Sequence, residues 1–255
     1  RGQAGALPRA YQQLNMKFIT GCATSAGGYR RVNQDSIFLD TKESFAFGIV
    51  CDGIGGLDNS ELASTFVTDA AALWYHGLVE WLEPETAATE IIFSHLRDAA
   101  EDWNYRLCEY IRGEGLRCGT TMSLISLLRD SGLIIHVGDS RIYRYRQDSG
   151  LVQLTCDMVT SRMSGGRMKT YLANYVGRQD ELSYLPIAFD ISPDELYIFG
   201  SDGFYHKFTE QDAERVYYNL SHGDSPKALC HELISAMISR GEHDNISVGL
   251  IFTRR

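Results

Sequence analysis

The chain lacks the segments that would send it into a membrane or out of the cell. Its 255 residues contain no apolar run of about 18 residues and no charged stretch followed by an apolar one, as in a signal peptide. No Pro/Gly/Ser-rich linker, internal repeat or low-complexity tract divides it. We therefore expect a cytoplasmic protein in which residues 16–255 form a single domain. Residues 1–15 show little periodicity and are interpreted as a flexible arm or a cloning remnant.

The six cysteines lack the spacing of a metal or disulfide framework. None forms a C-x-x-C pair, and their separations fit neither a zinc site nor a compact disulfide scaffold. We interpret them as reduced thiols, most of them packed in the core. Cys51 precedes an aspartate of interest but lacks the basic surroundings of a thiolate nucleophile, so it is interpreted in the same way.

An excess of basic residues is also lacking. The chain has 24 basic and 33 acidic residues, a formal net charge of −9. Binding to nucleic acid or to an anionic membrane needs a basic face, so we expect neither. The same balance disfavours a metal-dependent phosphodiesterase or nuclease. Carboxylates gathered around cations would also give an acidic balance, and composition alone cannot separate that case from a solvated surface.

Two long periodic segments predict adjacent helices. The first opens at Asp58, which has a capping-box partner in Glu61, and extends to about residue 82. Trp74 and Trp81 lie seven residues apart on it and are expected in the core. The second helix follows Pro84. Its apolar positions recur at intervals of three or four residues and predict one buried face: Ile92, Leu96, Ala99, Trp103 and Leu107.

Short runs rich in β-branched and aromatic residues predict strands at 17–24, 36–40, 45–51, 120–128, 133–137, 141–146, 195–200 and 246–252. Tight turns at 130–132 and 138–140 indicate antiparallel pairing. A further helix, capped by Ser225 with Pro226 at its first position, precedes the last strand. The sequence thus predicts the α+β class, with helices covering sheet faces, rather than a doubly wound parallel sheet.

Four aspartates fall at the ends of these predicted strands. Asp52, Asp139 and Asp202 each follow an apolar run, and Asp244 precedes the last strand. Any one of them alone is most simply a turn residue. Together they would repel one another at a sheet edge unless a positive charge compensates. Oxygen ligands suit hard cations such as Mg²⁺ and Mn²⁺, so the pattern predicts a divalent-metal site.

The glycines after Asp52 admit a second interpretation. Residues 53–56 (GIGG) follow a strand and precede a helix, as in a dinucleotide-binding loop. The third glycine of the G-x-G-x-x-G pattern is replaced by Asp58, whose carboxylate would repel a pyrophosphate at the start of the helix. The broken motif makes a dinucleotide site the weaker interpretation.

Six short motifs, in order along the chain, resemble those of the metal-dependent 2C-type protein serine/threonine phosphatases. They are RRVNQD at 30–35, VCDGIGG at 50–56, GTT at 119–121, HVGDSRIY at 136–143, SDG at 201–203 and DNIS at 244–247. Each motif is weak alone, but the ordered set spans nearly the whole chain and is specific. The two glycines at 55–56 and the short spacings resemble the bacterial branch most.

The resemblance implies a four-layer αββα sandwich, two antiparallel sheets flanked by helix pairs. Two Mn²⁺ or Mg²⁺ ions would lie in a channel between the sheets. Asp52 would bridge both ions, and Asp202 and Asp244 would complete the first. The second would be held by the Gly53 carbonyl and by waters on two further residues, Gln34 and Asp35.

Arg30 would bind the substrate phosphate, because a guanidinium can contact two phosphate oxygens at once. The sequence leaves open whether Arg30 or Arg31 points inward. Two cations about 3.5–4 Å apart can turn a bridging water into hydroxide and clamp an in-line displacement at phosphorus. The implied catalytic residues are therefore Arg30, Asp35 and Asp52.

The chain departs from the family pattern at three places. Ile54 replaces a histidine that is proposed to protonate the leaving group in eukaryotic members, so we expect the proton to come from a metal-bound water. His206 replaces a carboxylate that, with Asp139, would hold a third ion. We therefore expect two well-occupied ions and a weak third one bound chiefly through Asp139, which could otherwise hold waters or pair with Arg141. Residues 155–159 differ from the family's T-x-D-H-S, and the stretch 160–184 is short for its flap.

Two histidines have simple readings. His136 lies inside a predicted strand and is expected to be a core histidine. His243 lies next to Asp244, and the sequence leaves two interpretations: a surface residue or a neighbour of the metal site.

The predicted function is metal-dependent hydrolysis of phosphoserine and phosphothreonine in phosphoproteins, opposite a cognate serine/threonine kinase, by a monomeric enzyme. The alternative is a catalytically weak relative that binds phosphoproteins as a regulatory module. The replacement at His206 and the altered flap stretch motivate this alternative. The four aspartates of the implied metal site are intact and argue against it: Asp35, Asp52, Asp202 and Asp244.

Overall fold

The computed structural model describes residues 16–54, 59–81, 88–164 and 167–255. Its helices and strands are, in chain order, β1 (Lys17–Ser25), β2 (Asp35–Lys42), β3 (Phe45–Asp52), α1 (Ser60–Trp81), α2 (Thr89–Glu114), β4 (Met122–Leu128), β5 (Ser131–Val137), β6 (Arg141–Arg146), β7 (Gly150–Gln153), β8 (Val159–Ser164), β9 (Arg167–Leu172), β10 (Ile187–Asp190), β11 (Leu196–Gly200), α3 (Asp202–Tyr205), α4 (Glu210–Ser221), α5 (Pro226–Ser239) and β12 (Ile246–Arg254).

The strands form two antiparallel five-stranded sheets. One has the order β1-β12-β11-β6-β7 and the other the order β10-β5-β4-β3-β2, while β8 and β9 pair as a separate hairpin. The predicted α+β class is confirmed. Of the helices within the described residues, none is both long and apolar enough to cross a membrane.

Strand β3 shows how the layers arise from the alternation of side chains along a strand. Phe45, Phe47 and Ile49 pack in a cluster with α1 and α2, whereas Ala46 and Val50 face the opposite sheet. A third cluster joins the sheet that contains β12 to α4 and α5. The result is the expected four-layer sandwich, with a helix pair outside each sheet and an apolar layer between the sheets.

The face predicted for α2 is buried except at Ala99, which is partly buried, but one prediction for α1 is wrong. Trp74 packs against the core, whereas Trp81 is 89% exposed. The buried face of α1 instead recurs every fourth residue and ends at Val79. Trp81 is two residues further on, about 200° around the helix, and so faces solvent. The cap predicted at Asp58 lies outside the described residues.

Helix α4 was not predicted, although its start carries a clear signal. The Thr209 side chain accepts a hydrogen bond from the Asp212 backbone N–H, and the Asp212 carboxylate accepts one from the Thr209 backbone N–H. This reciprocal pair satisfies two donors at the helix start. Helix α5 begins as predicted, with Ser225 as its cap and Pro226 in the first turn.

Candidate active site

Five carboxylates from both sheets meet at one rim of the sandwich, and we call Asp35, Asp52, Asp139, Asp202 and Asp244 the acidic site. Asp35 opens β2 directly opposite Asp52, which ends β3. Asp202 opens α3 after β11, and Asp244 precedes β12, the antiparallel neighbour of β11. Burial raises the pKa of Asp52 well above its ordinary value, and the charges of the other four carboxylates raise it further. Strand ends of two sheets thus bring together residues up to 209 positions apart.

Asp35 is buried and held by two serines. Its Oδ2 accepts hydrogen bonds from the hydroxyl groups of Ser201, at 2.7 Å, and Ser247, at 2.8 Å. Among the described residues, its buried Oδ1 has no hydrogen-bond partner. Burial raises the pKa of Asp35 to about 7, the two serine hydrogen bonds lower it, and the charges of Asp202 and Asp244 raise it. One carboxylate oxygen is therefore fixed and the other is available.

Asp52 is positioned through its backbone by the residues that precede β4. Its N–H donates to Thr121 Oγ1 at 2.9 Å. Its carbonyl oxygen accepts from Thr120 Oγ1 and from the Thr121 N–H, both at 2.9 Å. The G-T-T motif therefore fixes the end of β3, and the Asp52 side chain remains available for other contacts. A hydrogen bond to Asp52 also lowers the pKa of Asp202, which burial raises.

Gly53 lies where three chain segments come very close. Its N–H donates to the Gln34 carbonyl at 3.0 Å. A Cβ at Gly53 would lie 2.7 Å from both the Gln34 and the Ser60 carbonyl oxygens, which no side chain tolerates. Gln34 in turn accepts from Ser64 Oγ at 2.6 Å through the same carbonyl. Only glycine allows β2, β3 and the start of α1 to meet here.

Arg30 is the arginine that reaches the acidic site. Its Nη2 lies 2.8 Å from Asp244 Oδ2, and the two side chains are 51% and 37% exposed. The hydrogen bond to Asp244 and its charge raise the pKa of Arg30, as do the charges of Asp202 and Asp52. Arg31 is exposed. Arg30 is thus the arginine that contacts the acidic site, and its role in binding phosphate stays a prediction.

Several polar residues that support the acidic site had no predicted role. Asn245 is buried and clamps the β1–β2 loop, because its Oδ1 accepts from the Gln34 N–H at 2.9 Å and its Nδ2 donates to the carbonyls of Ala26 at 3.2 Å and Val32 at 3.0 Å. Glu242 Oε1 accepts from the backbone N–H of Asp244 at 3.1 Å. Three of the supporting residues lie within the SDG and DNIS motifs, so the motifs could have indicated them: Ser201, Asn245 and Ser247.

The far side of the site is built around Asp139 and His206. Burial raises the pKa of Asp139 to about 6, the charges of Asp202 and Asp157 raise it too, and His206 lowers it. The half-exposed His206 ring has its Nδ1 3.7 Å from Glu242 Oε2. Arg141 does not pair with Asp139, since its guanidinium binds Asp157 at 2.7 Å.

Two further side chains follow the predictions. His136 is buried, with Nδ1 2.8 Å from Ser123 Oγ and Nε2 3.1 Å from the Cys156 carbonyl. Burial lowers the pKa of His136, and the core histidine expected from the sequence is confirmed. Cys51 is fully buried, and burial raises the pKa of its thiol to about 12, which excludes a thiolate nucleophile.

The chemistry of the acidic site fits hard divalent cations. Its donors are carboxylate oxygens, several of them buried with raised pKa values, and Asp35 Oδ1 has no hydrogen-bond partner within the part of the chain that the structure describes. Across the described ranges, however, no three His, Cys, Asp or Glu side chains already form a metal-ligand cluster. Asp244 is instead paired with Arg30, and Asp35 is hydrogen-bonded to Ser201 and Ser247. By its chemistry the donor set fits hard divalent cations.

Comparison with known sequences identifies the family. A family model described as Protein phosphatase 2C matches residues 25–222. A putative protein phosphatase 2C-type of Streptococcus pyogenes serotype M6 is 25% identical over 243 residues, which cover 89% of this chain and 94% of the relative. Protein phosphatase PhpP of Streptococcus pneumoniae serotype 2 is 23% identical over 244 residues, with the same shares covered.

Solved structures share the fold. PppA, described as a key regulatory component of T6SS in Pseudomonas aeruginosa, superimposes with a TM-score of 0.73 at 22% identity, over 94% of this chain and 100% of its own. The catalytic domain of PstP, in complex with two manganese ions, gives 0.71 at 20% identity over 94% and 100%. Stp1 of Staphylococcus aureus gives 0.74 at 20% identity over 91% and 94%. Motif order, fold and family match agree, and the chain belongs to the protein phosphatase 2C family of protein serine/threonine phosphatases.

Proposed function

We propose that the protein hydrolyses phosphoserine and phosphothreonine in phosphoproteins, the products of a serine/threonine kinase, with two Mn²⁺ or Mg²⁺ ions at the acidic site. The observation that carries the proposal is the convergence of buried, mutually repelling carboxylates beside the Arg30 guanidinium. Such a cluster is costly unless cations compensate its charge, and an adjacent arginine matches the anion that such cations attract. When bound, the ions would activate a water and withdraw charge from the phosphoryl group.

The proposed ligands follow from the position of each donor. Asp52, at the centre of the interacting carboxylates, would contact both ions. Asp202 and Asp244 would contact the first, from the second sheet. The backbone at Gly53, together with Gln34, would serve the other ion from the β2–β3 side.

Asp35 would orient a water rather than bind an ion directly. Its Oδ2 is committed to Ser201 and Ser247, so only Oδ1 can accept a further proton donor. A water held by Oδ1 would lie beside Asp52, because Asp35 and Asp52 are paired residues of β2 and β3. The serines thus act by keeping one oxygen of Asp35 occupied and the carboxylate plane fixed.

Arg30 would exchange its partner during binding. In the structure its guanidinium contacts Asp244. This pair is about half exposed, and such pairs contribute little to stability, so breaking it costs little. A doubly charged phosphate can take two hydrogen bonds from the freed guanidinium, which leaves Asp244 available to a cation.

Chelation tests the proposal. The wild-type protein is assayed on a phosphothreonine peptide after exhaustive EDTA treatment, and again after addition of Mn²⁺ or Mg²⁺. We expect EDTA to abolish phosphate release and either ion to restore it, because the site has only oxygen donors. Full activity after EDTA treatment would contradict the two-ion site. Saturable peptide binding without phosphate release at any ion concentration would instead favour the phosphoprotein-binding module.

A further inference from the structure

An exposed aromatic pair lies beside the proposed phosphate-binding arginine. The rings of Tyr29 and His243 are 3.9 Å apart between centroids and inclined at 60°. Each immediately precedes one member of the Arg30–Asp244 ion pair, so the two contacts lie side by side between the β1–β2 loop and the start of β12. We call Tyr29 and His243 the aromatic rim.

The aromatic rim stays open to solvent although it is firmly held. Tyr29 is 65% exposed, and the nearby Val32 is 53% exposed. Asn245 fixes the loop that carries Tyr29 and Val32, because its side-chain amide donates hydrogen bonds to the Ala26 and Val32 carbonyls. A large apolar surface that is ordered yet uncovered is suited to binding, because little side-chain freedom remains to be lost.

Close backbone contact adds to this rigidity. Gly27 has a φ of +73°, and a Cβ there would lie 2.5 Å from the Asp244 carbonyl oxygen. The β1–β2 loop therefore rests directly on the segment that carries His243 and Asp244. The separation between the aromatic rim and Arg30 is set by the backbone, and neighbouring Cα atoms are about 3.8 Å apart.

From this geometry we infer that the aromatic rim is a specificity subsite that binds an apolar or aromatic side chain flanking the phosphorylated residue. The inference rests on the proposed function. With its phosphate at Arg30, an extended peptide places the residues one and two positions away about 3.3–7 Å further along its own chain, and Tyr29 is the residue next to Arg30. Arg30 and the exposed Arg31 disfavour a basic residue at this position. An aromatic side chain can pack against the Tyr29 ring and Val32.

The same kind of pair elsewhere in the molecule provides a control. Tyr218 is 61% exposed, and its ring lies 4.1 Å from that of His222. This pair belongs to α4 and its end, where residues four apart are neighbours by helix geometry. Tyr29 and His243 come from distant segments, so their contact is made by the fold at the acidic site.

The experiment compares phosphothreonine peptides with alanine flanks and peptides in which one phenylalanine replaces alanine at each of the two positions on either side. For the wild-type protein with Mn²⁺, we expect the best phenylalanine peptide to have a kcat/KM about 3- to 10-fold above that of the alanine peptide, the size of one aromatic contact. Tyr29→Ala should bring this ratio to about 1, whereas Tyr29→Phe and the control Tyr218→Ala should keep it.

The outcomes separate this inference from the proposed function. If Tyr29→Ala hydrolyses the peptides with the wild-type ratio, or if the wild-type protein shows no preference, the subsite is overturned and the phosphatase activity stands. If Tyr218→Ala removes the preference as Tyr29→Ala does, the effect is not local to the acidic site and the subsite is also overturned. If the wild-type protein releases no phosphate from any peptide, the proposed function falls and this inference with it.

Discussion

The two ends of the acidic site are built differently. At the end defined by Arg30 and Asp244, charged groups lie 2.8 Å apart, and buried Asn245 and the serine-held Asp35 support them. At the other end, the half-exposed His206 lies 3.7 Å from Glu242. We call these the arginine end and the histidine end.

The two ends are suited to two different tasks, the binding of the substrate phosphate and the binding of cations. At the arginine end, the Arg30 guanidinium is paired with the Asp244 carboxylate and can exchange that carboxylate for a phosphate. At the histidine end a half-exposed imidazole lies beside Glu242 and supplies nitrogen instead of oxygen. We expect substitutions at the arginine end to lower turnover or the binding of the phosphate, and those at the histidine end to change chiefly how many ions bind and at what concentration.

The largest effect is expected where the carboxylates interact most. Asp52→Asn and Asp244→Asn should each remove nearly all turnover of a phosphothreonine peptide at saturating Mn²⁺, since each removes a proposed ion ligand. Asp190→Asn is the matched control, because Asp190 also ends a strand but is exposed at the end of β10. A variant at position 52 or 244 that keeps more than about a tenth of the wild-type kcat would exclude a ligand role, since that loss is under about 1.4 kcal/mol.

Thermal unfolding measured in EDTA would distinguish such a loss of turnover from unfolding of the variant. The pKa of Asp52 is raised in the folded protein, so this carboxylate destabilises the fold increasingly as pH rises from its unfolded pKa toward the folded one. At pH 7.5 the asparagine carries no charge and removes this penalty. We therefore expect Asp52→Asn to have a Tm equal to or above that of the wild-type protein without added metal.

A smaller loss is expected for the cation of the arginine end. Arg30→Ala should raise KM and lower kcat/KM by about 10- to 100-fold, the loss of one charge-assisted phosphate contact. Mn²⁺ affinity, measured by calorimetry, should change by less than about fivefold, because a half-exposed ion pair contributes about 0–1 kcal/mol. Arg31→Ala is the control and should resemble the wild-type protein. The reverse pattern would assign phosphate binding to Arg31.

The sequence predicted most of the sandwich because its central strands are apolar and end in turns. The predicted strand at 141–146 matches β6, and 45–51 differs from β3 by one residue. Shorter elements escaped prediction. Strand β10 has four residues with alternating exposed positions, and β7 has four residues that are largely accessible, so neither has the hydrophobic run that marks a buried strand.

Some residues of the candidate site could likewise be predicted from the sequence, whereas other contacts could not. Asp52, Asp202 and Asp244 could be found because each lies at the edge of an apolar run, a local signal. The bonds from Ser201 and Ser247 to Asp35 join residues 166 and 212 positions apart. Such contacts depend on how the two sheets are placed against each other, which local pattern does not encode. The roles assigned to these residues remain predictions until the variants are measured.

The smallest effect, and the sharpest test of the comparison, concerns His206. In the structure its ring lies near Glu242, and His206 lowers the pKa of both Asp139 and Asp202, which burial raises. A carboxylate at this position would restore a hard oxygen donor and add negative charge where Asp139 is already buried. We expect His206→Asp to create or strengthen a third ion site, so that calorimetry with Mn²⁺ gives three ions per chain instead of two.

The control for this change is His206→Asn, which removes the imidazole without adding charge and should leave two ions bound. Because Arg30 and the serine-held Asp35 are unchanged, His206→Asp should shift the Mn²⁺ concentration needed for half-maximal activity while kcat stays within about threefold of the wild-type value, a barrier change below about 0.7 kcal/mol. Wild-type protein that binds a fully occupied third Mn²⁺ through His206 would contradict this argument. The histidine end would then belong to the catalytic ion site, and the two ends would differ in ligand type alone.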